Sequence, residues 1–286
     1  LSSAASDVYK RQHMYRVGPY YSAMGMHVPE GLYPGAEEWS CGFLQQAIAN
    51  DPSLAMGMGK NFTPDYIVKA MAHAMTGEFI DLASMSCDFT RPDYAQWLGL
   101  MCSLMDDTGL AEDRIGFTCG VDGYYRLRAI YAAEGMDLGA QNTIVGFPGS
   151  RGSGFYLASP AAVVAIQGEY NGLNTSCSIA NGCKAPEAAW DFVKLLICKA
   201  ENGIPVLRSV FDEQMEFNAR AYSMTQEDID SLRYIAENAA GTVIADPALI
   251  ELISGELNAY ISGDKSAEDV AGQLQSRVSI YLSEQG

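Results

Sequence analysis

KAPEAAWDFVKLLICKAENGIPV, residues 184–206, joins a sharply bounded helix to a Gly-Ile-Pro exit. Pro186 suits a first helical turn, where its missing N–H has no partner to lose, and Glu187 and Asp191 bring negative charge to the positive end of the helix dipole. Trp190, Val193 and Ile197 fall three and four apart, and Phe192, Leu195 and Leu196 widen the apolar face until little of the helix is left for water. The spacing therefore predicts a helix covered on most sides, with the Trp190 ring buried in packing. Asn202-Gly203 offers a left-handed cap and Pro205 forbids continuation, so the chain leaves extended, carrying Ile204, Val206 and Leu207.

Upstream, residues 142–147 read as a buried strand, followed by a glycine-rich run at 149–154 and a small-residue segment at 158–166. Downstream, three starts are well signalled. Thr225-Gln-Glu-Asp228 resembles a capping box for Ile229, Leu232, Ile235 and Ala239. Asp246-Pro247 opens Leu249, Ile250, Ile253 and Leu257, and Ser266-Ala-Glu-Asp269 opens Val270, Leu274, Val278 and Leu282. Three helices with one apolar face each call for a common core. In the first half, residues 14–21 suit a strand, and Trp39-Ser40 opens a helix with Phe43, Leu44, Ala47 and Ile48 on one face. Thr63-Pro64 starts another, with Ile67, Ala70, Met71, Ala74 and Met75 in register and Gly77 as its stop. Thr90-Arg-Pro-Asp93 has the spacing of a capping box before Tyr94, Trp97, Leu98, Met101, Leu104 and Met105, a stripe that belongs to a core. Residues 106–141 are less decisive: Tyr124, Tyr125 and Tyr131 with Arg126 and Arg128 fit a helix or a polar-aromatic face.

Composition narrows the function classes. A chain of 286 residues with 48% hydrophobic content can bury a sizeable core. Its net charge of −17, from 35 acidic against 18 basic residues with no Lys/Arg cluster, argues against nucleic acid or anionic lipid as a partner. No metal site is expected, because His13, His27 and His73 lack ligand spacing. Gly57 to Gly59 with Lys60 lacks the Ser or Thr of a phosphate loop, and the glycine-rich run lacks Gly-x-Ser-x-Gly. The seven cysteines, at 41, 87, 102, 119, 177, 183 and 198, form no CxxC pair, and a Cys177–Cys183 disulfide stays open beside free buried thiols. The residues offer no catalytic constellation and no cofactor.

The Ala-Trp-x-Phe helix at 189–192 with its Pro turn, Ile144-Val-Gly-Phe-Pro148 with the glycines that follow, and three C-terminal patterns resemble the extracellular solute-binding proteins of ABC importers, the carbohydrate-type family 1. Those C-terminal patterns are Glu256-Leu-Asn-Ala-Tyr260, the run 263–271, and Gln275-x-Arg-Val-x-x-Tyr-Leu-x-Glu284. The likeness covers roughly residues 15–286, although Trp39-Ser-Cys-Gly-Phe43 lacks the acidic positions usual there. The resemblance implies a helix-rich α/β fold with the two-lobed, type II periplasmic-binding-protein-like architecture and an incomplete N-terminal lobe. By it, residues 15–21 cross between lobes, 22–148 form the C-terminal lobe, 149–208 a partial N-terminal lobe, and 209–286 the final helices of the C-terminal lobe.

The function so implied is capture of a sugar or oligosaccharide in an interlobe cleft and delivery to an ABC importer permease, without catalysis. The location is extracellular or at the cell surface, through a lipid anchor outside this sequence. Position within that architecture nominates Tyr20 and Tyr21 at the hinge, Trp39 at a helix mouth, Phe62 beside a loop, and Phe147, Arg151 and Phe155 around the glycine-rich return as ligand contacts. The alternatives are the same fold binding a peptide or metal chelate, or an α/β enzyme such as a hydrolase. The first twelve residues, LSSAASDVYKRQ, resemble translated sequencing-adapter read-through, so residues 1–14 are expected to be a non-native or disordered leader, with an ordinary polar tail as the other reading. Two expectations follow. Trp190→Ala should cost about 3–5 kcal/mol by cavity formation. The chain alone should be poorly soluble or partly molten around residues 149–208, which hydrogen exchange would detect.

Overall fold

The computed structural model describes residues 19–54, 64–81, 84–103, 115–118, 120–134, 142–148, 154–158, 179, 183–198, 203–243 and 246–285. Its organising element is β1 (Tyr20–Pro29), a ten-residue strand. β4 (Gly116–Thr118) and β5 (Asn142–Val145) pair antiparallel along its opposite edges, since Met26 is in register with both Phe117 and Val145. Nearer its start, β6 (Tyr156–Ala158) pairs with Ser22–Met24 and β7 (Ile204–Pro205) with Tyr20–Tyr21, both antiparallel. β8 (Gly241–Val243) then runs parallel to β6. A small hairpin of β2 (Ile80–Asp81) and β3 (Ser86–Cys87) stands apart. The boundaries that the resemblance places at 21/22 and 148/149 are therefore bridged by strand pairing, because β1 crosses the first unbroken and β6 and β7 both hydrogen-bond to it.

Strand alternation sends the side chains of β1 into two cores. Met24, Met26 and Val28 enter one, built with α1 (Cys41–Asn50), α2 (Pro64–Phe79), α3 (Tyr94–Ser103), α8 (Pro247–Ile261) and α9 (Ala267–Gln285). Tyr21 and Ala23 enter the other, built with α4 (Val121–Ala133), α5 (Pro186–Ile197), α6 (Arg208–Tyr222) and α7 (Gln226–Asn238). The three C-terminal helices consequently do not share one core: α8 and α9 pack on each other, α8 on α2 and α9 on α3, whereas α7 lies with α4 and α6 on the far side of the sheet.

Several starts form as their residues predict. In α7 both halves of the Thr225/Asp228 capping box are made; Asp246 caps α8 by accepting from Ala248 and Leu249; Ser266 and Asp269 exchange bonds ahead of α9. Thr90 and Asp93 do not form their box. Asp88 Oδ1 takes both the N–H and the hydroxyl of Thr90, and Asp93 is held by Arg91, so α3 starts at Tyr94 without it. Gly77 does not stop α2, which continues to Phe79. Its missing side chain serves a close approach instead: a Cβ there would lie 2.6 Å from the Tyr156 ring. Tyr156 in turn donates to the buried Glu78 carboxylate, which Arg91 Nη1 meets at 2.8 Å. Losing the cation of such a buried pair costs about 3–5 kcal/mol, so this cluster fastens β6 to α2 and α3.

α5 has the predicted limits, but the expectation of a covered helix fails. Val193 and Ile197 are buried, while Trp190, Phe192 and Leu195 are 44%, 61% and 56% exposed. The helix is apolar around most of its circumference, yet among its described side chains only Val193 and Ile197 enter the second core, so truncating the exposed Trp190 opens no cavity of the kind expected. α6 has no sequence-level start signal, and its preceding Leu207 makes no side-chain cap.

His27 lies on the α4 side of β1, stacked on Tyr124 with ring centroids 5.7 Å apart, and its Nδ1 finds no hydrogen-bond partner among the described residues. Burial lowers its pKa from 6.5 to about 4. Between these values the unfolded chain binds the proton and the folded chain does not, so stability from this residue is full above pH 6.5 and falls as the pH drops to about 4. The difference amounts to about 3 kcal/mol. Urea unfolding across that window should show His27→Phe losing less stability on acidification than the parent; parallel slopes would contradict the assignment.

Candidate functional site

An open cleft of about 870 Å³ lies where β5 leaves the sheet, between the connection from β1 to α1 on one side and α7 on the other. Its floor is Thr143–Phe147 with Gly154 and Phe155. The first wall is Tyr33, Ala36, Glu37, Trp39 and Ser40, and the second is Glu227, Asp230, Ser231, Tyr234 and Ile235, with Tyr125 of α4 between them.

Local chemistry fixes each part. Trp39 Nε1 donates to Gly146 O at 2.8 Å, and the Cys41 thiol points to Pro148 O at 3.7 Å, so the first wall is tied to the floor. Tyr33 packs edge-on against Trp39 at 5.4 Å, which leaves its own ring 36% exposed at the rim. The floor continues into the first core through Phe147, which contacts Trp97 and Tyr156. Phe155 can sit over β1 because residue 25 is glycine: a Cβ there would lie 2.7 Å from the Phe155 ring.

On the second wall, positions 227, 230, 231 and 234 recur at helical spacing and face one way while Ile229, Leu232 and Ala236 face the core. Asp228 does double duty: it completes the capping box and pairs with Arg128 of α4, whose guanidinium also covers the Tyr125 ring at 4.9 Å. A second cavity of about 420 Å³ adjoins the first, sharing Tyr125, Thr143, Ile144, Glu227 and Ser231 and adding Glu30, Arg128, Ser223 and Thr225.

Of the residues nominated from sequence, Trp39, Phe147 and Phe155 meet in this cleft. Tyr20 and Tyr21 are not among its lining residues. Tyr21 is directed into the second core, and the Tyr20 ring packs on Gly203. Phe62 and Arg151 lie outside the described residues. Sequence reasoning missed Tyr33, Tyr125, Glu227, Asp230 and Tyr234. Tyr234 carried a usable signal: it is a 55% exposed aromatic out of the apolar register of α7, four residues after an aspartate. Nucleophilic chemistry gains no support from Cys41, whose thiol burial pushes up to about 12, with the Asp93 and Glu78 charges adding to the rise. Among the described residues, no group of three or more His, Cys, Asp or Glu side chains is placed to hold a metal ion.

No protein-family profile and no curated protein matches this sequence. Solved structures do. The cyclic α-maltosyl-1,6-maltose binding protein of Arthrobacter globiformis is 12% identical, with a TM-score of 0.57 over 99% of this chain and 76% of its own. An ABC transporter solute-binding protein of Agrobacterium radiobacter in complex with ribitol is 12% identical, with a TM-score of 0.50 over 97% of this chain and 75% of its own. Another, of Thermotoga lettingae, bound with α-D-tagatose, is 12% identical, with a TM-score of 0.50 over 95% and 73%. The likeness establishes the fold: a helix-rich α/β chain of the two-lobed, periplasmic-binding-protein-like architecture.

Because the second wall depends on the Arg128–Asp228 pair, Arg128→Ala should leave a buried carboxylate short of its cation and lower stability by about 2–3 kcal/mol. Arg128→Lys should restore part of that. Denaturant unfolding of both variants checks it, and an unchanged midpoint for Arg128→Ala would show that α7 is held by other contacts.

Proposed function

We propose that this chain is a solute-binding protein that captures a sugar or oligosaccharide in the cleft and delivers it to the membrane permease of an ABC importer. The observation that carries this reading is the chemistry of the two walls. Each presents an accessible tyrosine, Tyr33 and Tyr234, next to a carboxylate, Glu37 and Asp230, above a floor containing Phe147 and Phe155. A sugar ring has an apolar C–H face that stacks on an aromatic ring, and hydroxyls that need acceptors once water is excluded. The cleft volume of 870 Å³ falls in the range of roughly 300–1,000 Å³ usual for small-molecule sites. The names of the Arthrobacter, Agrobacterium and Thermotoga proteins, which bind a maltose derivative, ribitol and tagatose, point the same way.

In this reading no bond is made or broken, and closure of the walls around the ligand is the event that a permease senses. The protein acts outside the cell, held there by a lipid anchor. Among the described residues no helix is long and apolar enough to cross a membrane. The aromatic walls favour a saccharide over a peptide or metal chelate, for which a cleft of paired Arg and Asp would be the better fit.

Thermal unfolding in the presence of a saccharide panel tests the proposal. A ligand bound only by the folded state should raise the Tm. Tyr234→Ala should weaken that ligand at least fivefold, about 1 kcal/mol, while changing the ligand-free Tm little, because the ring is exposed. Catalytic release of product from a panel member, abolished by one carboxylate substitution, would overturn the reading.

A further inference from the structure

The cleft has a sign as well as a shape. Among the described residues that line its larger cavity, the charged side chains are Glu37, Glu227 and Asp230, and no Lys or Arg stands with them. Arg128 enters only the adjoining cavity, where it is paired with Asp228. The carboxylates are divided between the walls, Glu37 beside Trp39 and the other two on successive turns of α7. Asp230 precedes Tyr234 by four residues, so a ring stacked on that tyrosine has its hydroxyls beside a carboxylate. The chain's net charge of −17 adds a field of the same sign.

We propose, resting on the saccharide reading above, that the cleft selects its ligand by charge. It takes neutral and amino-bearing saccharides and rejects uronates, with Glu37, Glu227 and Asp230 as the specificity-determining residues. A neutral hydroxyl donates to a carboxylate without changing the charge of the closed site, and an ammonium group gains from all three. A sugar carboxylate would be stripped of water against like charges on both walls, with no cation among the described lining residues to receive it. Because the three side chains are solvent-accessible in the open cleft, their effect should be strongest at low ionic strength and in the closed, water-excluded state.

The test is an array of neutral, amino and uronate oligosaccharides in matched stereochemical series, probed with the full chain at low and at physiological salt, alongside the Glu37→Gln, Glu227→Gln, Asp230→Asn triple variant. The expected result is binding of neutral or amino members, with matched uronates at least thirtyfold weaker, a gap that the triple variant narrows at least tenfold while keeping its Tm. Uronates bound within threefold of their neutral counterparts, or a gap that the triple variant leaves intact, would overturn charge selection while leaving the saccharide reading in place. Binding of no member of any charge would overturn the saccharide reading and this proposal with it.

Discussion

Nearly every side chain of β1 is committed to packing: eight of its ten residues are buried, with Ser22 and Pro29 at intermediate exposure. Alternation then forces a division, with Met24, Met26 and Val28 anchoring one set of helices and Tyr21 and Ala23 the other. Slipping the register by one residue would exchange the two sets and place His27 and Gly25 where Met26 and Met24 now fill space, so the strand is held in one register by both cores at once. The cleft follows from that constraint. Its floor is β5 and the Gly154-Phe155 stretch that leads into β6, both strands pairing with β1, and its walls come one from each side of the sheet.

The polar interactions that matter most hold this frame rather than decorate it. Glu78 gathers Tyr156 and Arg91 at one place, and Asp228 gathers Thr225 and Arg128 at another. Both carboxylates are buried, so each is stable only with its partners, and each has one partner far away in sequence, Tyr156 for Glu78 and Arg128 for Asp228. By contrast, the Asp212–Arg233 pair between α6 and α7 is exposed on both sides and belongs to a class worth roughly 0–1 kcal/mol. Aromatic contacts continue the frame inward from the floor, through Phe147 to Trp97 and on to Phe79.

Local signals were legible where the partner lies within one turn. Thr225 and Asp228, Asp246 and the first N–H groups of α8, and Ser266 and Asp269 find each other without help from the rest of the chain. Legibility failed where a distant element decided the outcome. Gly77 looks like a helix stop until the Tyr156 ring is placed against it. Thr90 and Asp93 have the right spacing, but Asp88 and Arg91 compete for them and win. Periodicity shows that α5 is apolar, not which of its faces has a neighbour, and Trp190 was misplaced for that reason. The cleft draws on five separated stretches of chain. Its aromatic residues could be nominated only at conspicuous positions, Trp39 ahead of a helix and Phe147 and Phe155 beside glycines, whereas Tyr234 is marked only by falling outside the apolar register of α7 and Tyr33 by nothing in its surroundings.

The three tryptophans fall in three environments: Trp39 lines the cleft, Trp97 is buried in the first core, and Trp190 is exposed on α5. Fluorescence titration of a Trp190→Phe protein with a neutral oligosaccharide therefore reads the cleft through Trp39 against a constant Trp97 background. If the cleft is the ligand site, the emission should change saturably, at the concentrations where calorimetry registers binding, and Trp39→Phe should abolish the change. Calorimetric binding with unaltered Trp39 emission, and a saturable change at Trp190 in the parent protein instead, would place the ligand elsewhere and contradict the account.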